Sequence, residues 1–160
     1  MASITKSGIP YKYGTYDQNN GFSWYGSSPI HVNYWLAAAY AFEIDNGTTL
    51  TGASIEVTID QTRNPGGAYS CTLWGRSEDD GFINEEQYAT QSFTAPSSGS
   101  VTHKFTFSGL SRTPEEIYFT ISPTATNADA NLTVYPPITA TLTVPNLTVG
   151  VTPSSLYAGN

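Results

Sequence analysis

The chain has 160 residues and 17.2 kDa, the size of one domain, and charged side chains make up only 12% of it against about 25% in an average soluble domain. Six basic against thirteen acidic side chains give a net charge of −7, which leaves no electrostatic footprint for a phosphate backbone and sets nucleic acid aside as a partner. The lone Cys71 excludes an intrachain disulfide, a CxxC redox pair and a cysteine-built zinc cluster. The longest apolar run, Tyr34 to Phe42, has nine members where a membrane-spanning helix needs about twenty.

In chain order, residues 1–29 are rich in Gly, Ser, Asn and Tyr and read as an N-terminal arm or lid; their opening carries no apolar stretch of the kind a secretory leader needs. From residue 30 apolar positions fall at period two, the signature of extended strands. Val32, Tyr34, Leu36, Ala38, Tyr40, Phe42 and Ile44 share one parity in a first strand. Its alanines would also suit a helix, but alternation on both sides predicts a strand. Ile55, Val57 and Ile59 follow, then Tyr69, Cys71 and Leu73 alternating with Ser70, Thr72 and Trp74. A less regular Gln87–Thr94 segment comes next. Val101, His103, Phe105 and Phe107 form another run, then Ile117, Phe119 and Ile121, then Leu132 and Val134, and last Ile138, Ala140, Leu142 and Val144.

Turn chemistry at Asn46-Gly47, Asn64-Pro65-Gly66-Gly67 and Asp80-Gly81 separates these runs. With 22 Thr, 17 Ser and 10 Asn replacing charge on the surface, the expectation is all-β: a two-sheet antiparallel β-sandwich of jelly-roll type over residues 30–150, with eight strands. Residues 151–160, VTPSSLYAGN, read as a linker or the start of a following module.

Few residues suit nucleophilic catalysis. His31 and His103 are the only histidines and no G-x-S-x-G elbow occurs. His103, on a face with Phe105 and Phe107, reads as a core or sheet-edge histidine, and His31 as a solvated loop residue. Glu43 and Glu56 lie on consecutive strands with outward parity, alongside Trp35 and Trp74. They would make a glycosidase if set about 5 to 9.5 Å apart in a cleft, and ordinary solvent-face residues otherwise. Glu78, Asp79, Asp80, Glu85 and Glu86 concentrate five carboxylates around Gly81, a hard-oxygen set that could hold calcium, although the spacing is not that of an EF-hand and a solvated loop has the same look. Asp17, Asn19 and Gly21 resemble half of a calcium loop.

Aromatic surface carries more information. Ten of the 21 aromatic residues fall within the first 42 positions. Trp24 and Tyr25 sit in a Gly/Ser stretch, and Trp35, Trp74 and Tyr118 share outward parity on their strands. Such rings form a core or lid, a protein contact, or a platform for the apolar CH faces of sugars. Asn46, Asn131 and Asn146 begin N-x-[ST] matches that a chain this rich in Asn, Ser and Thr produces by chance.

At AYAFEIDNGTTLTGASIEVTID, residues 39–60, the sequence resembles the strand-turn-strand core of jelly-roll modules in bacterial surface proteins and in tail proteins of Firmicutes phages and prophages. HKFTFSGLSRTPEEIYFTISP, residues 103–123, resembles a second strand pair of those modules, and VTPSSLYAGN the opening of a following repeat. No catalytic motif comes with the resemblance. It implies a non-catalytic structural or adhesive module on a virion or other extracellular surface assembly, contacting neighbouring subunits or a host glycan, and it leaves room for a homo-oligomer. A carbohydrate-binding module of a bacterial extracellular enzyme is the alternative, and a small all-β glycosidase the second.

Overall fold

The computed structural model describes residues 3–24, 29–45, 47–61, 67–124, 127 and 129–145. Its elements are β1 (Ser3–Gly8), β2 (Lys12–Asp17), β3 (Gly21–Trp24), β4 (Ile30–Asn33), β5 (Ala37–Glu43), β6 (Gly52–Gln61), β7 (Ala68–Asp79), β8 (Phe82–Thr94), β9 (Ser100–Phe107), β10 (Glu116–Pro123) and β11 (Asn131–Pro145). They form two antiparallel sheets, one ordered β1-β11-β6-β9 with β4 also pairing β11, the other ordered β3-β2-β5-β10-β7-β8. The fold is the expected two-sheet β-sandwich of jelly-roll type. No described helix is long and apolar enough to cross a membrane.

The core lies where the period-two reading puts it. Tyr40, Phe42, Tyr69, Leu73, Ile117 and Phe119 from the six-stranded sheet meet Ile55, Ile59, Phe105, Leu132 and Val134 from the other, all essentially without solvent exposure. Fully burying such side chains stabilises by about 1.5–3 kcal/mol each.

Three features differ from expectation. The first predicted strand is two strands, β4 and β5, that belong to different sheets. Between them the Asn33 side chain accepts the backbone N–H groups of Trp35 (2.8 Å) and Leu36 (3.0 Å), an Asx turn that carries the chain across the sandwich. Val32 before the turn and Ala38 and Tyr40 after it keep the same inward parity, while Tyr34 (41% exposed) and Leu36 within it leave the core, so the alternation of the sequence passes over the turn without marking it.

Residues 3–24 are not an arm laid over the sandwich. They supply β1 to one sheet and β2 and β3 to the other. β1 and β3 are edge strands, and of the rings on β2 and β3 only Tyr13 packs against the core while Tyr16, Phe22 and Trp24 gather on the outer face, so the pattern of a half-buried strand is missing. At the far end, the runs read as two strands are one, β11, with a register shift between Tyr135 and Thr139. Pro136 and Pro137 lie at that shift and have no N–H for the ladder. Tyr25, Asn46, Asn64, Pro65, Gly66, Asn146 and the expected 151–160 linker lie outside the described residues.

Candidate binding groove

The outer face of the six-stranded sheet has a low floor. Ala37, Ala39 and Ala41 point outward from its central strand β5, and Gly14 of β2 sits opposite Ala39. Gly14 also faces Trp24 across the β2–β3 pair, and a Cβ there would run into the Ser23 carbonyl, so only glycine lets β3 close on β2. Taller side chains from both flanks lie over this floor, which is why Ala39 and Ala41 are fully buried on an outward face.

Those tall side chains are the rings. Tyr16 and Phe22 pair at 4.7 Å between centroids, and Phe22 and Trp24 stack at 5.2 Å with planes 3° apart. Tyr118 closes on Phe22 at 4.7 Å and on Trp24 at 5.3 Å, while Trp74 meets Tyr16 at 5.5 Å. Each such pair adds about 0.5–1.5 kcal/mol beyond area burial. The structure thus brings Trp24, Trp74 and Tyr118 of the expected residues together, and adds Tyr16 and Phe22. Their signal was available: Tyr16 and Phe22 face each other across the Asp17–Gly21 turn, each two residues from Gly14 or Trp24.

Trp24 is a wall and not an open platform. Phe22 covers one face, and the Lys12 ammonium stands 4.7 Å from the ring on the side that the β2 register places away from Phe22. Lys12 is held there by Glu116, 3.5 Å from its Oε1 at ion-pair distance, and the Tyr11 hydroxyl donates to Glu116 Oε2. Glu116 is only 6% exposed, and this burial raises its pKa against the opposing effect of its hydrogen bond with Tyr118. Burial and the same carboxylate push the Tyr118 phenol well above its usual range.

Beyond this wall the face opens into a groove of about 350 Å³. Tyr16 and Trp74 flank it, Thr72, Thr120 and Ala37 form its base, and Gln87 and Ser122 line its side. The β2–β3 turn and the Tyr34–Trp35 turn close one end. Trp35 is 72% exposed and meets Tyr34 edge-to-face at 4.8 Å. Trp74 is half-buried, and its indole Nε1 donates to Thr120 Oγ1 at 2.9 Å. A bulge in β8 between the partners of Leu73 and Trp74 leaves Tyr88 unpaired and sets Gln87 opposite Trp74, which explains the irregular pattern of that segment. Tyr88 then fills the space above Gly75 that any Cβ would occupy.

The other candidates do not assemble. Glu43 and Glu56 are on strands that belong to different sheets, and both point outward, so they leave the sandwich on opposite sides. Glu43 has Glu116 opposite it instead, and neither lines the groove. Of the acidic set, Glu85 faces Arg76 in register and Glu86 pairs with Arg112 at 3.2 Å, while Glu78 lies 4.0 Å from Arg76. Asp80 occupies the hairpin turn, and Asp79's side chain lies outside the described residues. Among the described residues no three acidic, His or Cys side chains are placed to share a metal ion. The Asp17 carboxylate is taken up by its own turn, accepting from the Asn19 N–H at 2.8 Å and Asn20 Nδ2 at 3.0 Å. His103 stacks on Phe93 and meets Phe105 at a tilt, where burial lowers its pKa, and exposed His31 contacts Thr133 at 3.1 Å.

No family model matches the chain, and no curated protein matches it. Among solved structures it is similar to the CBM22-1 xylan-binding domain from Paenibacillus barcinonensis Xyn10C, at 9% identity and a TM-score of 0.48, covering 87% of this chain and 92% of that one. It is similar also to the Eiger TNF from S. frugiperda, at 9% identity and a TM-score of 0.46, covering 95% and 99%. A carbohydrate-binding module CBM36, solved in complex with calcium and xylotriose, is similar at 12% identity and a TM-score of 0.41, covering 87% and 98%.

Proposed function

We propose that the chain is a non-catalytic glycan-binding module that works outside the cell and holds its ligand in the groove between Trp35 and Trp74. One observation carries this reading: two indoles, one 72% exposed and one half-buried, border a groove that also presents the hydroxyls and amides of Thr72, Gln87, Thr120 and Ser122. Sugar rings stack their CH faces on indoles, and their hydroxyls match groups such as Gln87 and Ser122. The bond to Thr120 fixes the Trp74 ring before ligand arrives, which lowers the ordering cost of binding. The reading is the same whether the module is carried by an extracellular enzyme or by a phage tail.

A glycan array probed with the wild type and with the Trp35→Ala/Trp74→Ala double variant tests it. Signals present in the wild type and lost in the folded variant are the expected result. Signals unchanged by the double substitution would put binding elsewhere on the molecule, and an array without signals would remove the reading.

A second reading, docking to a neighbouring subunit of a surface assembly, is favoured by the tip of the β7–β8 ribbon. There Phe82 and Ile83 are 75% and 56% exposed, at the opposite end of β7 from the groove. Loss of particle assembly in a Phe82→Ser/Ile83→Ser variant that keeps its glycan binding would be the mark of that role.

A further inference from the structure

The groove is nearly free of formal charge in a face that is otherwise crowded with it. Among the described residues that line it, Asp17 alone carries a charge at neutral pH, and no Lys, Arg or His is present. Asp17 stays ionised: the Asn19 N–H and the Asn20 side chain, both donating to its carboxylate, hold its pKa below the usual carboxylate value. The remaining amide and aliphatic hydroxyl lining is Gln18, Asn19, Thr72, Gln87, Thr120, Ser122 and Thr124, all neutral.

Two cations on this face lie beyond the Tyr118–Trp74 row, and both are engaged. Lys12 stands between Glu116 and the Trp24 ring. Arg76 has Glu85 and Glu116 opposite it on its two neighbouring strands and Glu78 at 4.0 Å. Neither is left over to balance a negative ligand. An anionic group entering the groove would give up hydration, find no counter-charge and face the Asp17 carboxylate. At longer range a molecule of net charge −7 repels a polyanion.

We infer that the groove selects uncharged oligosaccharides and rejects uronate-bearing or sulfated chains of the same length, because its described lining sets neutral hydroxyls and amides between two indoles and holds one carboxylate and no cation. This rests on the glycan reading of the groove and narrows its ligand class. Neutral chains of two sources fit the chemistry alike: plain hexose or pentose polymers, and N-acetylated amino-sugar polymers.

The test is titration calorimetry on the whole chain with hexasaccharides, at low and at high ionic strength. The neutral probes are cello-, xylo- and N-acetylglucosamine hexamers, whose ranking tells the two sources apart. The anionic probes are hexagalacturonate and hexaguluronate. At least one neutral hexamer should bind with an affinity that salt leaves unchanged. Both anionic hexamers should bind at least tenfold more weakly at low ionic strength and recover partly as salt screens Asp17. Asp17→Asn, which keeps a turn-forming side chain, should narrow that gap severalfold. An anionic hexamer binding as tightly as the best neutral one at low ionic strength would overturn the inference while leaving a glycan-binding groove in place. If neither series binds, the inference falls together with the glycan reading.

Discussion

Trp74 and Thr120 are bonded diagonally. In the β7–β10 register Trp74 stands opposite Tyr118 and Thr120 opposite Thr72, yet the indole Nε1 reaches the Thr120 hydroxyl at 2.9 Å. The ring is therefore oriented by this diagonal bond together with its contacts to Tyr16 and Phe22. Thr120→Val keeps the shape and removes the acceptor. Because Trp74 is half-exposed, water can take up the freed N–H, and stability should fall by no more than about 1 kcal/mol. Ligand affinity should fall about three- to tenfold as the ring loses its preset orientation. Chemical denaturation and calorimetry on the same variant separate the two effects.

Trp35 and Trp24 should respond oppositely to truncation. Trp35, 72% exposed at the tip of a turn, contributes little to the fold, so Trp35→Ala should move stability by less than about 0.5 kcal/mol and weaken glycan binding about tenfold. Trp24 is packed between Phe22 and Lys12 over Gly14, so Trp24→Ala should cost about 2 kcal/mol of stability and leave the affinity of the folded protein within about twofold. A large affinity loss in Trp24→Ala would mean that ligand reaches past the wall.

The sandwich was legible because residues such as Ile55, Leu73 and Phe119 alternate with polar neighbours, and burial of one face forces that rhythm. The N-terminal strands were not, because Tyr16, Phe22 and Trp24 turn their rings to the outer face and leave no inward apolar run to detect. The sheet change at Asn33–Leu36 was hidden for another reason: an Asx turn that preserves inward parity leaves alternation intact while moving the chain to the other sheet. The Glu43–Glu56 pairing failed on the same point, since consecutive strands were read as neighbours when they lie in different layers. Of the site, parity correctly aimed Trp74 and Tyr118 outward. The Tyr16–Phe22 pair is signalled locally by the Asp17–Gly21 turn, but its meeting with Trp74 and Tyr118 joins strands distant in sequence, and no local pattern reports that.

The Glu116 carboxyl gives the fold a specific pH response. Burial raises its folded pKa above the ordinary value of 4.5, so the folded protein holds the carboxyl proton more tightly than the unfolded chain does. The stability linked to this group is complete below the unfolded pKa and is lost as pH rises through the raised folded value. Glu116→Gln lacks that loss. The stability of wild type relative to the variant should therefore decline as pH rises from about 4.5 and level off once the raised folded value is passed. Asp17, with its lowered pKa, acts in the opposite sense at lower pH and cancels in the comparison. A flat difference between the two urea midpoints across this window would refute the assignment.

Calcium should leave the melting temperature unchanged. A cation that binds only the folded state must raise stability, and the β7–β8 ribbon spreads its carboxylates, with Glu86 committed to Arg112 at 3.2 Å and Glu85 facing Arg76. Thermal scans with chelator and with millimolar calcium should superimpose. An upward shift with calcium alone would show a site that the described carboxylates do not form.

Cys71 reports on the integrity of the core beneath the groove. It points inward from β7 between the sheets with no exposure, and burial pushes its thiol far above the ordinary range. The reactive thiolate is thus withheld in the folded state, and labelling by a thiol reagent should proceed only through opening of the sandwich, at a rate that tracks stability and not reagent basicity. Glycan bound in the groove should slow labelling in proportion to its occupancy, since it stabilises the closed state. Cys71→Ser places a hydroxyl in the same apolar layer as Tyr69 and Leu73 and should cost about 1–3 kcal/mol. Rapid labelling of the native protein in the absence of denaturant would mean that β7 opens locally, and the groove built on its other face would then be far less rigid than the Trp74–Thr120 bond requires.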